Sequence, residues 1–353
     1  MRRVMKIVAV TSVAALALAA CGSSDDSGSK NAGKSGSTST GKALKVGMAY
    51  DIGGRGDQSF NDAAAAGLDK AKSELGVTGQ EAEATSGEAE SAKEDRLRTL
   101  AQAGYNPIVA VGFAYAGAVD KVATDFPNIK FAIVDSANDD KTPNNVTSLL
   151  FAENEGSFLV GTAAALKSKA KNVGFVGGVN TPLIQKFEAG YVAGVHAVDP
   201  SIKVQSKYLT QPPDFGGFND PGKGETAANG MFDAGADIVY AAAGGSGSGV
   251  FKAAKAKNKL GIGVDSDQYN LPALASVKDV IMTSMVKRVD LAVTDFVTSV
   301  HDGKFAAGNK VYDLKAGGIE YATSGGKIDD IKAKIDEFKA KIVSGEIKVP
   351  VKP

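Results

Sequence analysis

From Leu44 onward, short apolar runs alternate with segments whose apolar residues recur at helical spacing. Residues 44–50 (LKVGMAY) read as a strand. Phe60, Ala64, Leu68, Ala71 and Leu75 then mark one face of a helix, with Ser59 and Asp62 in a capping-box pattern at its start. Residues 96–103 predict a helix ended by Gly104, residues 107–111 a strand, and Val119, Val122 and Phe126 a helix stopped by Pro127. Strands are expected at 130–134 and 146–151, and a helix over 153–167. A second series follows, with strands at 173–176, 204–209, 237–242 and 261–264 and helices at 182–198, 226–234 and 248–256. Residues 280–285 add a strand, residues 288–300 a helix, and Ile331, Ile335, Phe338 and Ile342 one face of a charged helix. Strand-helix alternation of this kind predicts an α/β fold of two doubly wound parallel-sheet lobes.

The first 20 residues differ. Arg2, Arg3 and Lys6 precede an apolar run, residues 7–20, with no acidic residue, which predicts a secretory signal too short to span a bilayer comfortably. The run ends in Leu18-Ala19-Ala20-Cys21-Gly22, which resembles the lipobox of bacterial lipoproteins, where the cysteine is acylated and becomes the new N-terminus. Residues 22–42 contain no large apolar side chain and read as a flexible tether. Twenty-one such residues have a root-mean-square span of about 25 Å, enough to hold a body clear of a membrane surface.

Composition narrows the function. Lys plus Arg equals Asp plus Glu at 40 each, so no positive excess is available for a phosphate backbone, and nucleic acid is not an expected partner. One Cys and two His exclude a disulfide framework and a Cys/His zinc site, and no metal or cofactor is expected. Two phosphate-like motifs are refused. Residues 28–35 match a P-loop letter for letter but sit in the tether, with neither strand nor helix beside them. Residues 244–249 (GGSGSG) follow a strand and precede a helix, but their spacing is not G-x-G-x-x-G and they lie far from the first strand. Nor is there a G-x-S-x-G elbow to support a hydrolase.

In two doubly wound lobes, ligands bind outside the carboxyl ends of the strands. The loops there carry AYDIGGRGDQSFND, FAIVDS, VGFVGGVNTPLIQKFEAGYVAGV, ADIVYAAAGGSGSGVF, IGVDSDQ and VIMTSMVKRVD. In this order, over residues 44–290, they resemble the basic membrane protein family of bacterial substrate-binding lipoproteins, which includes purine nucleoside receptors of ABC transporters. The resemblance implies a type I periplasmic-binding-protein fold whose lobes are joined by a multi-stranded hinge. One lobe would comprise residues 43–150 with about 284–305, the other 151–283 with about 306–353. It further implies a nucleoside ligand, an ABC permease and its ATPase subunit as partners, and a lipid anchor on Cys21 at the extracytoplasmic face of the cell membrane.

By the same resemblance, Phe60 corresponds to an aromatic that stacks on the purine, beside Ser59 of the SFN triplet. Asp51 and Asn61 correspond to polar residues near the base edge, Asp265 to the carboxylate gripping the ribose hydroxyls, and Lys287 to a cation beside the sugar. Gly244 and Gly245 fall where backbone approaches the ribose, Asp135 falls at the strand end of FAIVDS, and Phe218 is the candidate second stacking face. Each has a plainer alternative: Phe60 and Phe218 as core residues, Asp51, Asp135 and Asp265 as turn formers, Asn61 as a helix-start residue, Lys287 as a surface cation. Three Asp against one Lys would repel a phosphate, favouring nucleosides over nucleotides. The fold alone does not choose between nucleosides and another small polar ligand, such as a sugar or a signalling molecule.

The anchoring expectation is directly testable. Cys21→Ala should abolish metabolic lipid labelling and release the protein from cells, whereas a labelled Cys21→Ala protein refutes the lipobox.

Overall fold

The computed structural model describes residues 44–353, so Cys21, the tether and the P-loop-like string lie outside the described residues. In chain order the elements are β1 (Lys45–Ala49), α1 (Phe60–Leu75), β2 (Thr78–Ala82), α2 (Glu90–Gln102), β3 (Ile108–Ala110), α3 (Ala116–Asp125), β4 (Phe131–Val134) and β5 (Val146–Phe151). They continue with α4 (Glu153–Lys167), β6 (Asn172–Val179), α5 (Pro182–Val198), β7 (Lys203–Thr210), α6 (Pro221–Asp233), β8 (Ile238–Ala242), α7 (Gly247–Ala256) and β9 (Leu260–Asp265). The last are β10 (Ile281–Lys287), α8 (Val289–His301), β11 (Gly308–Tyr312), β12 (Ile319–Tyr321) and α9 (Lys332–Val343).

Two six-stranded sheets result, ordered β2-β1-β3-β4-β5-β11 and β7-β6-β8-β9-β10-β12. Each strand of the first has a positional counterpart in the second, and every pairing is parallel except β10 with β12. The inner strands β3, β4 and β8 are buried at every residue, which is why they read as continuous apolar runs: helices cover both faces of such a sheet. The expected α/β architecture of two doubly wound lobes is what the chain adopts.

The chain passes between the sheets at Ala152, at Arg288 and through residues 313–318. This division differs from the one the sequence pattern suggests. The stretch 284–305 is split, because β10 pairs with β9 in the second sheet while α8 packs on α1 in the first lobe. β11 also joins the first sheet, beside β5, rather than the second lobe. An apolar run announces a strand but not its partner, and β11 (GNKVY) and β2 (TGQEA) are polar edge strands without that signal.

The second lobe leans on an unusually close pair of helices, α4 and α5. A Cβ on Gly194 would lie 2.0 Å from the Phe158 carbonyl oxygen, and one on Gly190 2.1 Å from that of Asn154. This contact fixes the first turn of α4, where Glu153 sits directly behind the first passage between sheets. Gly194→Val should force the helices apart and lower unfolding stability by about 1–3 kcal/mol or more. Urea denaturation followed by circular dichroism measures it; an unchanged midpoint would mean that the close approach contributes nothing.

Candidate functional site

The site begins with how α1 starts. The Asp57 carboxylate accepts from the backbone N–H groups of Ser59 (2.9 Å), Asn61 (2.9 Å) and Asp62 (3.1 Å), satisfying donors that the helix leaves unpaired. Asp62 in turn accepts from Gly56 and Gln58 N–H. The capping box expected of Ser59 is therefore absent: its side chain makes no cap hydrogen bond. Its hydroxyl is freed to donate instead to Asp265 Oδ2 in the other lobe, at 2.5 Å.

Asn61 is equally committed. Its Oδ1 accepts from Asp51 N–H (3.0 Å), and its Nδ2 donates to Asp57 Oδ2 (3.0 Å) and to the Ile52 carbonyl (3.4 Å). It positions the Asp51–Ile52 turn and has little capacity left for anything else.

Asp135 and Asp265 occupy matching places, just after β4 and at the end of β9, strands that correspond in the two sheets. Both have positive φ, 68° and 65°. At Asp265 the turn is closed by Ser266 N–H donating to the Val264 carbonyl at 2.7 Å. Such backbone is rare outside glycine and costs about 1–3 kcal/mol, a cost that marks functional sites when the surroundings enforce it. Here it turns each carboxylate back over the strand end, into the cleft.

Between them lies Lys287, the last residue of β10, with a side chain only 2% exposed. Its Nζ donates to Asp135 Oδ2 at 2.6 Å and pairs with Glu153 Oε1 at 3.2 Å. The rings of Phe60 (5.1 Å), Phe151 (5.0 Å) and Phe187 (5.6 Å) surround it, each adding cation–π attraction. The ammonium is held well above its ordinary pKa by Asp135, Glu153 and Asp265 against the cost of burial, so it stays charged.

These groups line one cavity of about 580 Å³, counting its mouth. Of the residues expected from the sequence, Asp51, Phe60, Asn61, Asp135, Phe218, Gly244, Asp265 and Lys287 line it, whereas Ser59 and Gly245 do not. Gly245 lies behind the wall, where a Cβ would approach Asn219 Oδ1 at 3.3 Å and the Asp57 carbonyl oxygen at 3.5 Å. Gly244, at φ +55°, lets the chain pass under the Phe218 carbonyl, so these glycines permit close packing rather than a phosphate cradle. The structure adds Ile52, Asp57, Phe113, Ile184 and Phe187 to the lining, with Glu153 directly behind it. Nothing in the sequence pattern singled out Asp57, in a glycine-rich loop, or Phe187, within a helix.

The cavity is lined by several buried carboxyls. Burial pushes Asp265 up to about 7, helped by Asp57 and Asp135 and opposed by Lys287 and the Ser59 hydroxyl. Burial likewise lifts Asp51, Asp57 and Asp135 to about 6, with Lys287 opposing the shift at Asp135. Asp135 Oδ1 is buried without a hydrogen-bond partner, an acceptor awaiting a donor. Among the described residues no group of three or more His, Cys, Asp or Glu side chains could hold a metal ion.

The lobes also touch across the cleft through Gln268 Nε2, donating to the Gln58 carbonyl at 2.7 Å, and through the edge-on rings of Phe113 and Phe215, 5.8 Å apart. Two doubly wound sheets, joined by three strand passages and closed over a cavity at their strand ends, define a type I periplasmic-type solute-binding protein. A solute-binding protein of an ABC transporter system from Aeropyrum pernix K1 superposes with a TM-score of 0.75 at 30% identity, covering 87% of this chain and 94% of its own. Residues 43–353 match the family described as ABC transporter substrate-binding protein PnrA-like, and the chain belongs to it. It is 38% identical over 353 residues to a CD4+ T-cell-stimulating antigen of Listeria innocua, covering 95% of both chains. It is 35% identical over 369 residues to the ABC transporter nucleoside-binding protein BmpA of Lactococcus lactis, covering 99% of both. The family is one of binding proteins, not enzymes.

The raised carboxyls predict a pH dependence of stability. A carboxyl whose folded pKa exceeds its unfolded value of about 4 stabilises fully below that value and loses the contribution as pH rises through the folded pKa. For Asp265 that window ends at about 7. The ligand-free protein should lose thermal stability between about pH 4 and 7, and Asp265→Asn should make the loss shallower. Melting curves of the two proteins falling in parallel would contradict a raised Asp265.

Proposed function

We propose that the protein captures a nucleoside, in particular a purine ribonucleoside, in this cavity and delivers it to an ABC permease while tethered to the membrane through Cys21. The observation that carries the reading is the pairing of aromatic and carboxylate walls in one closed space. Phe60 and Phe218 rings line it together with Asp265, Asp135 and Lys287. The similarity to a relative named as nucleoside-binding supports it further.

Each end of the ligand then has a matching environment. A base stacked on an aromatic gains about 1–3 kcal/mol whichever base it is, so the rings supply affinity rather than identity. A ribose diol donating to the ionised form of Asp265 makes charge-assisted hydrogen bonds of about 1.5–3 kcal/mol. A further hydroxyl reaching Asp135 Oδ1 would satisfy its open acceptor position. Lys287 serves chiefly to hold Asp135 in place and to balance part of the negative charge. A phosphate would meet several carboxyls around that single, already paired ammonium, so nucleotides are disfavoured. The links between Ser59 and Asp265 and between Gln58 and Gln268 join residues of opposite lobes, so ligand and closure reinforce each other.

Isothermal titration calorimetry with purine ribonucleosides tests this directly. Asp265→Ala should abolish measurable binding while circular dichroism stays native, and 2′-deoxy analogues should bind at least about tenfold more weakly than ribonucleosides. Phe60→Ala should weaken ribo and deoxy forms alike, by about ten- to hundredfold. Near-wild-type affinity of Asp265→Ala would remove the proposed ribose grip.

A further inference from the structure

A second space of about 780 Å³, open to solvent, lies between the lobes. Ile52, Glu88, Lys93 and Ala114 of the first lobe and Pro213 and Phe215 of the second are among the residues that line it. It adjoins the main cavity. Ile52 lines both spaces, Phe113 lines the main cavity while the next residue lines the chamber, and the Phe113 ring meets Phe215 edge-on at 5.8 Å. The partition is therefore built from the half-buried side chains of Ile52, Phe113 and Phe215. Asp51, in the main cavity, is close enough to the chamber for Glu88 and Lys93 to act on its protonation in opposite senses.

The main cavity has a direction. One end, Asp135 with Lys287, adjoins the passage of the chain at Arg288, and the other, Ile52 and Phe113 with the Asp51 carboxyl beside them, adjoins the chamber. On the nucleoside reading, the hydroxylated sugar takes the Lys287 end and the flat base the end beside the chamber. The outer edge of the base then faces the partition.

We infer that the chamber receives a substituent carried on that outer edge, so that the protein takes base-substituted nucleosides as well as plain ones. The chamber also specifies the arm. Ile52, Pro213 and Phe215 offer an apolar throat. Glu88 is engaged by Arg96 at 2.6 Å and Lys93 by Glu90 at 3.0 Å, while Asp214, exposed to solvent, accepts from Gly216 N–H at 2.8 Å, so no buried unpaired charge awaits a charged group. A neutral alkyl or aryl arm fits. An arm at the sugar end would instead press on the buried Asp135–Lys287 pair.

This inference rests on the nucleoside reading, and calorimetry separates the two. Adenosine, N6-benzyladenosine and 5′-O-benzyladenosine are titrated into wild type, Ala114→Trp, which places an indole in the chamber wall, and Ala114→Ser. In wild type and Ala114→Ser, N6-benzyladenosine should bind within about tenfold of adenosine, and the 5′-O-benzyl compound at least about a hundredfold more weakly. Ala114→Trp should weaken N6-benzyladenosine at least about tenfold while leaving adenosine within about threefold. Tight adenosine binding with N6-benzyladenosine excluded from wild type overturns the chamber proposal and leaves the nucleoside reading standing. Equal N6-benzyladenosine affinity in wild type and Ala114→Trp overturns it as well. Should the Trp variant not fold, the wild-type comparison of the two benzyl compounds still decides. A wild-type protein that binds none of the three overturns the nucleoside reading itself.

Discussion

A lysine ammonium in a dry interior is tolerated only with partners, and Lys287 draws its partners from every part of the body. Asp135 comes from the first sheet, Glu153 from the first turn behind a passage between the sheets, and the three rings from both lobes. Leaving such a charge unpaired costs about 3–5 kcal/mol, so the closed arrangement of the lobes and the neutralisation of Lys287 are one requirement. The carboxylates that surround it are in excess. Burial, together with that excess, accounts for the raised pKa values of Asp135 and Asp265.

The matching order of the two sheets explains why the site is built in pairs. Asp135 and Asp265 stand at equivalent strand ends with equivalent backbone strain, and short glycine-bearing turns follow β3 and β8 at equivalent positions. The pairs have then diverged. Asp135 pairs with the lysine, Asp265 meets a hydroxyl from the opposite lobe, and one turn offers Phe113 where the other offers bare backbone at Gly244. Near-symmetric lobes thereby enclose an asymmetric space, with the lysine ion pair at one end and Ile52, Phe113 and Asp51 at the other.

Much of this was legible in the sequence because parallel strands buried on both faces leave uninterrupted apolar runs, and the residues just after those runs are the ones that reach the cleft. The loops that hold Asp51, Asp135, Asp265 and Lys287 were legible that way, whereas the choice of those residues within them came from the family resemblance. The strands β2, β11 and β12 were not, since short or polar edge strands carry no such run, and the passages between lobes were misplaced because pairing partners leave no periodic trace. Glu153 was not singled out, because an acidic residue at a helix start is ordinary and nothing in its neighbourhood announced that its side chain would be 1% exposed. Ser59 shows the converse: its capping pattern was real as a pattern, but Asp57 satisfies the helix donors and releases the hydroxyl to the other lobe.

The central claim is that the space between Phe60 and Asp265 is made for a flat ring carrying a diol. Native mass spectrometry of protein purified gently from its producing cells, followed by denaturing release of whatever it carries, puts that claim to its most direct test. The account predicts a released species with the mass and fragmentation of a nucleoside, losing its base as the principal fragment. A released sugar, amino acid or phosphorylated nucleotide at stoichiometric occupancy would contradict it.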